Sequence, residues 1–304
     1  MKIKELERML MTSVGESKVV TGAQMKEHTY FKIGGPVDLL VTPESTEEVQ
    51  QAVKSCIEAD IPYMVIGNGT NLLVSDKGIR GVVIKIAEQF NKFTVEGNTM
   101  TASAGCLLST LSKVAMSHHL GGFEFASGIP GTIGGAIVMN AGAYGGEMKD
   151  VVTSVTLIDE HGQISKVSSE KMAFDYRKSI ISGTKKVVLE VEMAFKSKDA
   201  GEIKEIIDEL TVKRTTKQPL EMPSAGSTFK RPPDNFAGKL IDDAGLRGLR
   251  HGDAQVSEKH CGFVVNRGNA TANEVETLIK IVQKTVYDQF GIMLEPEVKI
   301  IGER

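Results

Sequence analysis

Three polar residues stand in local settings that could perform chemistry on a small molecule. Arg177, in "DYRKS", offers a forked set of donors that suits a carboxylate or a developing enolate oxygen. Ser227, in "PSAGSTFKRPP", follows a glycine in a loop that could hold its hydroxyl rigidly, and the lack of a GxSxG motif disfavours a serine hydrolase. Glu297, in "LEPEVKIIG", shares one side of a predicted strand with Glu295. On local evidence alone, a solvated arginine, a turn serine and exposed strand carboxylates are the favoured interpretations.

Residues 127–146, "SGIPGTIGGAIVMNAGAYGG", hold seven glycines among mostly apolar neighbours. A linker would be more polar, and a glycine inside a helix or strand costs about 0.5–1 kcal/mol relative to alanine. A close crossing of two strands would explain two or three of these glycines, but not seven. We therefore expect the bare main chain to lie against a flat, extended ligand, with Asn140 and Tyr144 fixing its orientation.

A second glycine-containing turn, "GNGTNLLV" at 67–74, follows an apolar strand. Gly67 and Gly69 permit positive φ, while the polar residues between and after them offer hydrogen bonds. Such a turn can form a concave nest for a pyrophosphate. It lacks the lysine of a P-loop and the spacing of the dinucleotide GxGxxG motif, so a plain tight turn is the alternative.

The histidines and cysteines indicate no metal site. The six histidines have no HExxH spacing, and Cys56, Cys106 and Cys261 are too scattered for a disulfide framework or a CxxC site. We expect three buried thiols in a reducing compartment. His260, in "SEKHCGF", is the one histidine that we retain as a pocket residue.

Composition narrows the class of protein. The 304 residues suggest two domains, and a formal net charge of −3 provides no basic field for nucleic acid. The beginning, "MKIKELERML", lacks the apolar core of a secretory signal, and no apolar run reaches about 18 residues. We expect a cytoplasmic protein with no membrane span.

The elements that must position these residues follow from caps and periodicity. Ser45, with Glu48 three residues later, predicts a helix start, and a long helix over 271–290 should end at Gly291. A polar change at "KSKDAGE" places a domain boundary after residue 196. The predicted strands and hairpins are "IPYMVIG", "GVVIKI", a hairpin at Gly97-Asn98, a hairpin at His161-Gly162, "KVVLEVEMAF" and "VKIIG".

Taken together, the motifs are more specific than any one of them. "HTYFKIGG", "IGNGTNLLVSDKGIRGVVI", "SGIPGTIGGAIVMNAGAYGGEMKDVV", "FDYRKSII", "PSAGSTFKRPP", "AGKLID", "KHCGFVVN" and "LEPEVKIIG" occur in that order. From about residue 25 onward the chain resembles the UDP-N-acetylenolpyruvoylglucosamine reductase family, flavoenzymes that make UDP-N-acetylmuramate for peptidoglycan. The resemblance implies an α+β protein with the FAD-binding fold of the vanillyl-alcohol oxidase (PCMH) type over 1–196, in two lobes of about 1–66 and 67–196. A C-terminal α/β substrate-binding domain over 197–304 would follow, with its last strand, about 294–304, returning to the N-terminal lobe.

The resemblance also implies FAD as cofactor and NADPH as reductant. It makes 67–71 a pyrophosphate-binding turn and 127–144 the segment along the flavin. The cofactor-binding residues implied are Gly67, Asn68, Gly69, Thr70, Asn71, Leu72, Gly128, Ile129, Pro130, Gly131, Gly134, Gly135, Asn140, Ala141, Gly142, Ala143 and Tyr144.

The family's chemistry gives the three opening residues a shared purpose. NADPH reduces the flavin, whose N5 then delivers hydride to C3 of the enolpyruvyl group of UDP-N-acetylglucosamine-enolpyruvate. The resemblance implies that Arg177 and Glu297 stabilise the resulting enolate and that Ser227 protonates C2. Because a carboxylate would repel an enolate, we expect Glu297 to carry a proton at that moment.

The sequence says less about the residues that contact the substrate and about the subtype within the family. Some members insert a loop whose tyrosine covers the substrate, whereas residues 178–222 contain no tyrosine and resemble the shorter type II form. Arg214 and Lys217 are candidates for the UDP diphosphate, with a solvated helix end as the equal alternative; Lys230 and His260 are weaker candidates. We expect a monomer.

Two rival functions stay open at this stage. A flavin oxidase of the same fold would use O2 and another substrate. A flavin- or nucleotide-binding regulatory module would show no turnover, although Arg177, Ser227 and Glu297 in their family contexts argue against it.

Overall fold

The computed structural model describes residues 2–304, which form seven α-helices and nineteen strands. The helices are α1 Lys2–Ser13, α2 Thr46–Glu58, α3 Leu108–Ser117, α4 Ile133–Val138, α5 Ala200–Lys217, α6 Ala237–Asp243 and α7 Ala272–Phe290. The strands are β1 Val19–Thr21, β2 Val37–Val41, β3 Tyr63–Ile66, β4 Leu72–Val74, β5 Ile79–Lys85, β6 Phe93–Glu96, β7 Thr99–Ser103, β8 Leu120–Gly121, β9 Gly142–Ala143, β10 Gly146–Glu147, β11 Val152–Ile158, β12 Ile164–Ser168, β13 Val187–Ala194, β14 Lys196–Ser197, β15 Ser224–Ser227, β16 Arg250–His251, β17 Ala254–Val256, β18 Phe263–Asn266 and β19 Lys299–Ile301.

The chain forms two compact units, and neither is one continuous stretch. Unit 1 comprises the residues up to Thr21, then Leu39–Asn68 and Gly81–Arg214. Unit 2 comprises Gly22–Asp38, Gly69–Arg80 and Thr215–Arg304. The division after residue 196 that the sequence suggested is therefore displaced, because most of α5 belongs to unit 1 and two early segments belong to unit 2.

Unit 1 is built on two sheets with one shared apolar core. A four-stranded sheet has the order β1-β2-β5-β3, and a five-stranded antiparallel sheet has the order β12-β11-β13-β7-β6. In β13 the predicted alternation is confirmed, since Leu189, Val191 and Met193 are buried while Glu190 is exposed. The predicted helix start is confirmed as well: the Ser45 hydroxyl accepts a hydrogen bond from the Glu48 N–H at 3.2 Å.

Unit 2 packs α7 and α6 with an antiparallel sheet of order β15-β18-β17-β16. α7 begins with a capping box at Thr271 and Glu274 and ends at Gly291, whose φ of 69° places it in the left-handed region, as predicted. The two early segments complete this unit: Phe31, Ile33 and Leu73 are buried in its core. This shared core explains why the units are discontinuous.

The last strand, β19, pairs in parallel with β4. The sequence placed this return on the N-terminal lobe, and β4 does lie in the first third of the chain. However, β4 belongs to unit 2, so the strand completes the unit from which it comes. Among residues 2–304, no helix combines the length and the apolar character needed to cross a membrane.

Candidate active site

In unit 2 the backbone around Ser227 is shaped by a bulge. Ser224 pairs with Val265 and Ser227 with Phe263, so β15 carries one more residue than its partner over this interval. Gly226 supplies the positive φ of 75° at that point. A bulge redirects the side chain that follows, and Ser227 is exposed at the end of the strand.

The residue after the serine anchors the loop to the neighbouring strand. Thr228 is buried, its N–H donates to the Gly262 carbonyl at 2.8 Å, and its hydroxyl accepts from the Val264 N–H at 2.9 Å. Neither bond involves the Ser227 hydroxyl. The loop is therefore anchored by its neighbour while Ser227 projects freely enough to meet a ligand.

Glu297 lies on the chain segment that runs beside this loop. Its N–H donates to the Thr228 carbonyl at 2.8 Å, and Phe229 and Pro296 form an antiparallel bridge. The Asn71 side-chain amide donates to the Glu297 carbonyl at 3.3 Å. Unit 2 thus brings together Ser227, Glu297 and Asn71, three residues that are far apart in sequence.

Lys230 and Glu295 form the next contact between the serine loop and the segment that carries Glu297. The Lys230 N–H donates to the Glu295 carbonyl at 2.8 Å, and their side chains form an ion pair. The ammonium predicted as a weak substrate contact is therefore already neutralised by a neighbouring carboxylate.

Arg177 belongs to unit 1 and lies on a tight turn. Asp175 and Lys178 exchange backbone hydrogen bonds of 3.0 and 3.1 Å, and Arg177 inside this turn has a φ of 54°. Its Nη2 donates to the Gly142 carbonyl at 3.1 Å, and its guanidinium carbon lies 5.0 Å from the centre of the Tyr176 ring. Arg177 is half-buried, and its backbone lies in the left-handed region. This backbone strain fits a functional role, because it persists only where the surrounding structure imposes it.

Fixed protein neighbours account for three of the seven glycines in 127–146. A Cβ on Gly134 would lie 2.8 Å from the Ala104 Cβ, and one on Gly146 would lie 2.5 Å from the Phe125 ring. A Cβ on Gly142 would lie 2.5 Å from the Gly146 carbonyl, whereas one on Gly128 would meet only the flexible end of the Arg214 side chain, which can move aside. This number agrees with the expectation that close packing explains two or three of these glycines but not all seven.

Gly135 and Gly145 have space around them. A Cβ on Gly135 would meet only the Thr132 hydroxyl, at 3.6 Å, and Gly145 would meet nothing within 4 Å, although its φ of 92° disfavours other residues. Of the other predicted cofactor residues in this segment, Gly131 and Ala141 are buried, while Ile129, Pro130, Ala143 and Tyr144 are at least partly exposed.

Unit 1 contains a cavity of about 230 Å³ beside this segment. Gly67, Thr132, Gly134 and Gly135 line it together with strand β3 and the beginning of β13. A side chain on Gly67 would collide with the Thr132 hydroxyl. The volume is below the roughly 300–1,000 Å³ of a pocket for a whole drug-sized ligand, so the cavity can enclose only part of a dinucleotide.

The predicted pyrophosphate turn contains residues that are described with unit 1, up to Asn68, and residues that are described with unit 2, from Gly69. In unit 1, the Asn68 side-chain amide donates to the Pro130 carbonyl at 3.4 Å. In unit 2, Gly69 has a φ of 62° and any side chain there would collide with the His28 carbonyl. Thr70 is half-buried beside it, and Leu72 begins β4.

Two predicted ligand contacts are instead engaged by protein. The Asn140 side chain is fully buried, and both of its polar atoms bond within unit 1. The Arg214 guanidinium donates to the Gly128 carbonyl, and burial lowers the Arg214 pKa, which contact with Tyr144 partly offsets. Arg214 therefore holds the glycine segment, and a diphosphate would have to compete for it.

His260 and Lys217 lie in unit 2. The Gly262 N–H donates to His260 Nδ1 at 3.1 Å, which requires that nitrogen to be unprotonated. Burial lowers the pKa of His260, a backbone hydrogen bond partly offsets this, and the charges of Arg247 and Lys217 lower the pKa further. A neutral imidazole with its Nε2–H as donor is the form that this environment favours, while Lys217 itself is exposed.

Sequence reasoning missed the residues that shape these sites without a motif of their own. Thr132 caps α4 by accepting from the Gly135 N–H at 3.4 Å, and Thr228 anchors the serine loop. The preference for threonine at helix N-caps could have suggested the first. The cavity-lining residues Val187 and Val188 gave no signal beyond a strand pattern.

Comparison with known proteins decides the family. A model described as "FAD binding domain" matches residues 37–168, and one described as "UDP-N-acetylenolpyruvoylglucosamine reductase, C-terminal domain" matches 218–301. A protein of Clostridioides difficile with the same reductase name is 52% identical over 97% of each chain. One of Alkaliphilus metalliredigens is 55% identical over 95% of each chain. The chain belongs to the UDP-N-acetylenolpyruvoylglucosamine reductase family.

Solved structures agree with this assignment. The reductase of Thermus caldophilus is 37% identical, with a TM-score of 0.80, over 93% of this chain and 97% of that one. Substrate-bound p-cresol methylhydroxylase, 14% identical with a TM-score of 0.50 over 97% of this chain and 65% of that one, shares the fold alone. The protein is an α+β FAD-dependent oxidoreductase of the PCMH type, a UDP-N-acetylmuramate dehydrogenase.

Proposed function

We propose that this reductase uses NADPH to convert UDP-N-acetylglucosamine-enolpyruvate into UDP-N-acetylmuramate, a step in peptidoglycan precursor synthesis. The family assignment supports the overall reaction. The observation that supports the assignment of roles is the backbone bond from Glu297 to Thr228, because it places Glu297 beside the loop that presents Ser227.

The residues present fit an FAD. The cavity in unit 1 is bounded by Gly67, Thr132 and Gly135, and an added Cβ at Gly135 would make only an ordinary contact, 3.6 Å from the Thr132 hydroxyl. We propose that this cavity encloses one ring system of the cofactor, and that the 67–72 turn binds its pyrophosphate. When bound, FAD supplies the hydride, taken from NADPH, that is added to C3 of the enolpyruvyl group.

Ser227 would deliver the matching proton. Hydride addition at C3 breaks the C2–C3 double bond and leaves the electron pair on C2, which then accepts the hydroxyl proton. A serine hydroxyl is a weak acid in water, but a carbanion at hydrogen-bond distance is a strong enough base to remove its proton. The anchoring of Thr228 would fix the backbone from which Ser227 projects for this transfer.

Arg177 and Glu297 would stabilise the negative charge that develops on C2 and its carboxylate. Arg177 supplies fixed positive charge with forked N–H donors. Glu297 would contribute a hydrogen bond as the protonated acid, since its anion would repel the enolate. For the UDP portion of the substrate, exposed Lys217 with nearby His260 fits better than Lys230, which is paired with Glu295.

Separate measurement of the two half-reactions tests this proposal. The FAD-loaded protein is mixed first with NADPH, then with UDP-N-acetylglucosamine-enolpyruvate, while the flavin absorption is followed by stopped flow. We expect Ser227→Ala to leave reduction by NADPH unchanged and to slow reoxidation by about 10²–10⁴-fold or more. Ser224→Ala, at the other end of β15, is the matched control and should behave like the wild type.

Each of the other possible outcomes would contradict one part of the proposed function. Equal slowing of both half-reactions in Ser227→Ala would make Ser227 a structural residue. Reoxidation by O2 with peroxide formation, but not by the enolpyruvyl substrate, would support the oxidase alternative. A flavin that NADPH cannot reduce would support the regulatory module.

A further inference from the structure

Asn140 is the one predicted cofactor residue whose side chain is completely enclosed by protein. Its exposed fraction is 0%, and its φ of 43° lies in the left-handed region that asparagine tolerates better than most residues. Its carbonyl oxygen accepts from the Lys149 N–H at 2.9 Å. Its amide nitrogen donates to Glu147 Oε2 at 2.8 Å and to the Asp175 carbonyl at 3.2 Å. The full hydrogen-bonding capacity of the amide nitrogen is thus used within unit 1.

The two hydrogen bonds that the Asn140 amide donates lead to the turn and to the hairpin that hold Arg177. Asp175 begins the turn on which Arg177 lies. Glu147 pairs with Gly142 in the β9–β10 hairpin, and Gly142 provides the carbonyl that the Arg177 guanidinium contacts at 3.1 Å. One nitrogen therefore connects the backbone from which Arg177 projects with the hairpin on which its guanidinium rests.

We propose that Asn140 is a positioning residue for Arg177: it fixes the turn that carries Arg177 against the hairpin that its side chain contacts. This inference rests on the proposed role of Arg177 in reduction of the enolpyruvyl group. The bond to Asp175 is the specific element, because the bond to Glu147 and the bond from Lys149 only connect Asn140 with its own hairpin. An error of about 1 Å in the place of a catalytic group can cost about 10²-fold in rate.

A double substitution isolates that bond. In Asn140→Asp with Glu147→Gln, the side-chain amide introduced at position 147 can donate to the carboxylate introduced at position 140, which can still accept from the Lys149 N–H. Relative to Glu147→Gln alone, which shares the loss of the Lys149–Glu147 ion pair, the ionised double variant removes only the donor to the Asp175 carbonyl, because that carbonyl then faces a carboxylate oxygen. Glu147→Gln alone is the matched control, since Asn140 can still donate both to the side-chain oxygen at position 147 and to the Asp175 carbonyl.

We expect the double variant to bind FAD and to be reduced by NADPH at the rate of the control. Its reoxidation by the enolpyruvyl substrate should be about 10–100-fold slower than that of Glu147→Gln. Adding Arg177→Ala to the double variant should slow reoxidation no further than Arg177→Ala does alone, because a positioning residue has no effect once its target is removed.

The outcomes separate the inference from the proposal beneath it. If Arg177→Ala leaves reoxidation as fast as in the wild type, the proposed role of Arg177 fails. If Arg177→Ala slows reoxidation but the double variant matches Glu147→Gln, the inference about Asn140 is wrong. A triple variant slower than Arg177→Ala, or equal losses in both half-reactions, would also overturn it.

Discussion

Gly134 and Gly135 are neighbours in sequence, yet an added methyl group would have opposite effects at the two positions. At Gly134 it would lie 2.8 Å from the Ala104 Cβ and 3.0 Å from the Ala104 carbonyl, both parts of the protein core. At Gly135, a residue that lines the cavity, it would meet only a hydroxyl at ordinary contact distance.

We therefore expect Gly134→Ala to destabilise the FAD-free protein by about 1–3 kcal/mol through overpacking. Gly135→Ala should leave that stability unchanged or raise it by up to about 1 kcal/mol, because alanine favours the helix. It should nevertheless weaken FAD binding about tenfold or more, which corresponds to about 1.4 kcal/mol. Urea unfolding of the apoprotein and fluorescence titration with FAD measure the two effects, and equal losses of stability would contradict the distinction.

The three thiols give a prediction about reactivity. Burial raises the pKa of Cys56 to about 12, that of Cys106 to about 11 and that of Cys261 to about 11. Because the thiolate is the reactive form, none of them should react rapidly with Ellman's reagent at pH 8. In denaturant all three should react within the mixing time of a simple assay. A thiol that reacts rapidly in the native protein would show that its burial is not maintained in solution.

At the scale of elements, the beginning of α7 illustrates local and distant contributions to one helix. The Thr271 hydroxyl accepts from the Glu274 N–H at 3.1 Å, which is a local interaction. The Asp76 carboxylate accepts from the Ala272 and Asn273 N–H groups at 2.8 and 3.1 Å, from a segment nearly 200 residues away. Both satisfy N–H groups that the helix cannot pair by itself.

Thr271→Ala should therefore lower the free energy of unfolding by about 1 kcal/mol, within a range of about 0.5–2 kcal/mol. Thr285→Ala is the matched control in the same helix, where the hydroxyl only bonds back to the Ile281 carbonyl. It should change stability little or increase it slightly, since alanine is the better helix former. Chemical denaturation measures both, and equal effects of the two substitutions would contradict a capping role.

The sequence could predict the parts of the fold that depend on contacts between residues close together in the chain. Ser45 and Gly291 mark helix ends through contacts within four residues, and both predictions are confirmed. The roles of Asn140 and Arg214 could not be predicted, because their partners at Asp175 and Gly128 are distant in sequence. A polar residue in a glycine-rich segment fits a ligand contact and a structural hydrogen bond equally well until its neighbours are known.

At the scale of the whole molecule, the stability should depend on pH through His260. Its pKa is lowered in the folded state, so the unfolded chain binds more protons at mildly acidic pH. The stabilising contribution is therefore present above the ordinary histidine pKa of about 6.5 and is lost as pH falls through the lower folded value. Urea unfolding between pH 5 and 8 should show this decline, and His260→Gln should reduce its slope. An unchanged slope would assign the acid sensitivity to other groups.

The discontinuity of unit 2 predicts how fragments behave. Residues 197–304, the domain that the sequence suggested, lack Phe31, Ile33 and Leu73 of its core and the strand that pairs with β19. We expect this fragment to give no cooperative thermal transition, whereas the full chain should give one. Circular dichroism on heating distinguishes them, and a cooperatively folding fragment would show that the two early segments are dispensable. Composition and charge placed the boundary at a polar segment, but they contain no information on which early segment packs with a late one.

The bond between Asn71 and Glu297 joins positions separated by 226 residues. During synthesis, the stretch around Asn71 emerges long before Glu297 and β19 have been made. Until then, the edge of β4 and the apolar residues beside it have no partners from the end of the chain. Contacts of such long separation make folding slow and leave intermediates prone to aggregation. A growing chain of this kind therefore has most need of chaperone protection while its middle portion is being translated, before the closing strand arrives.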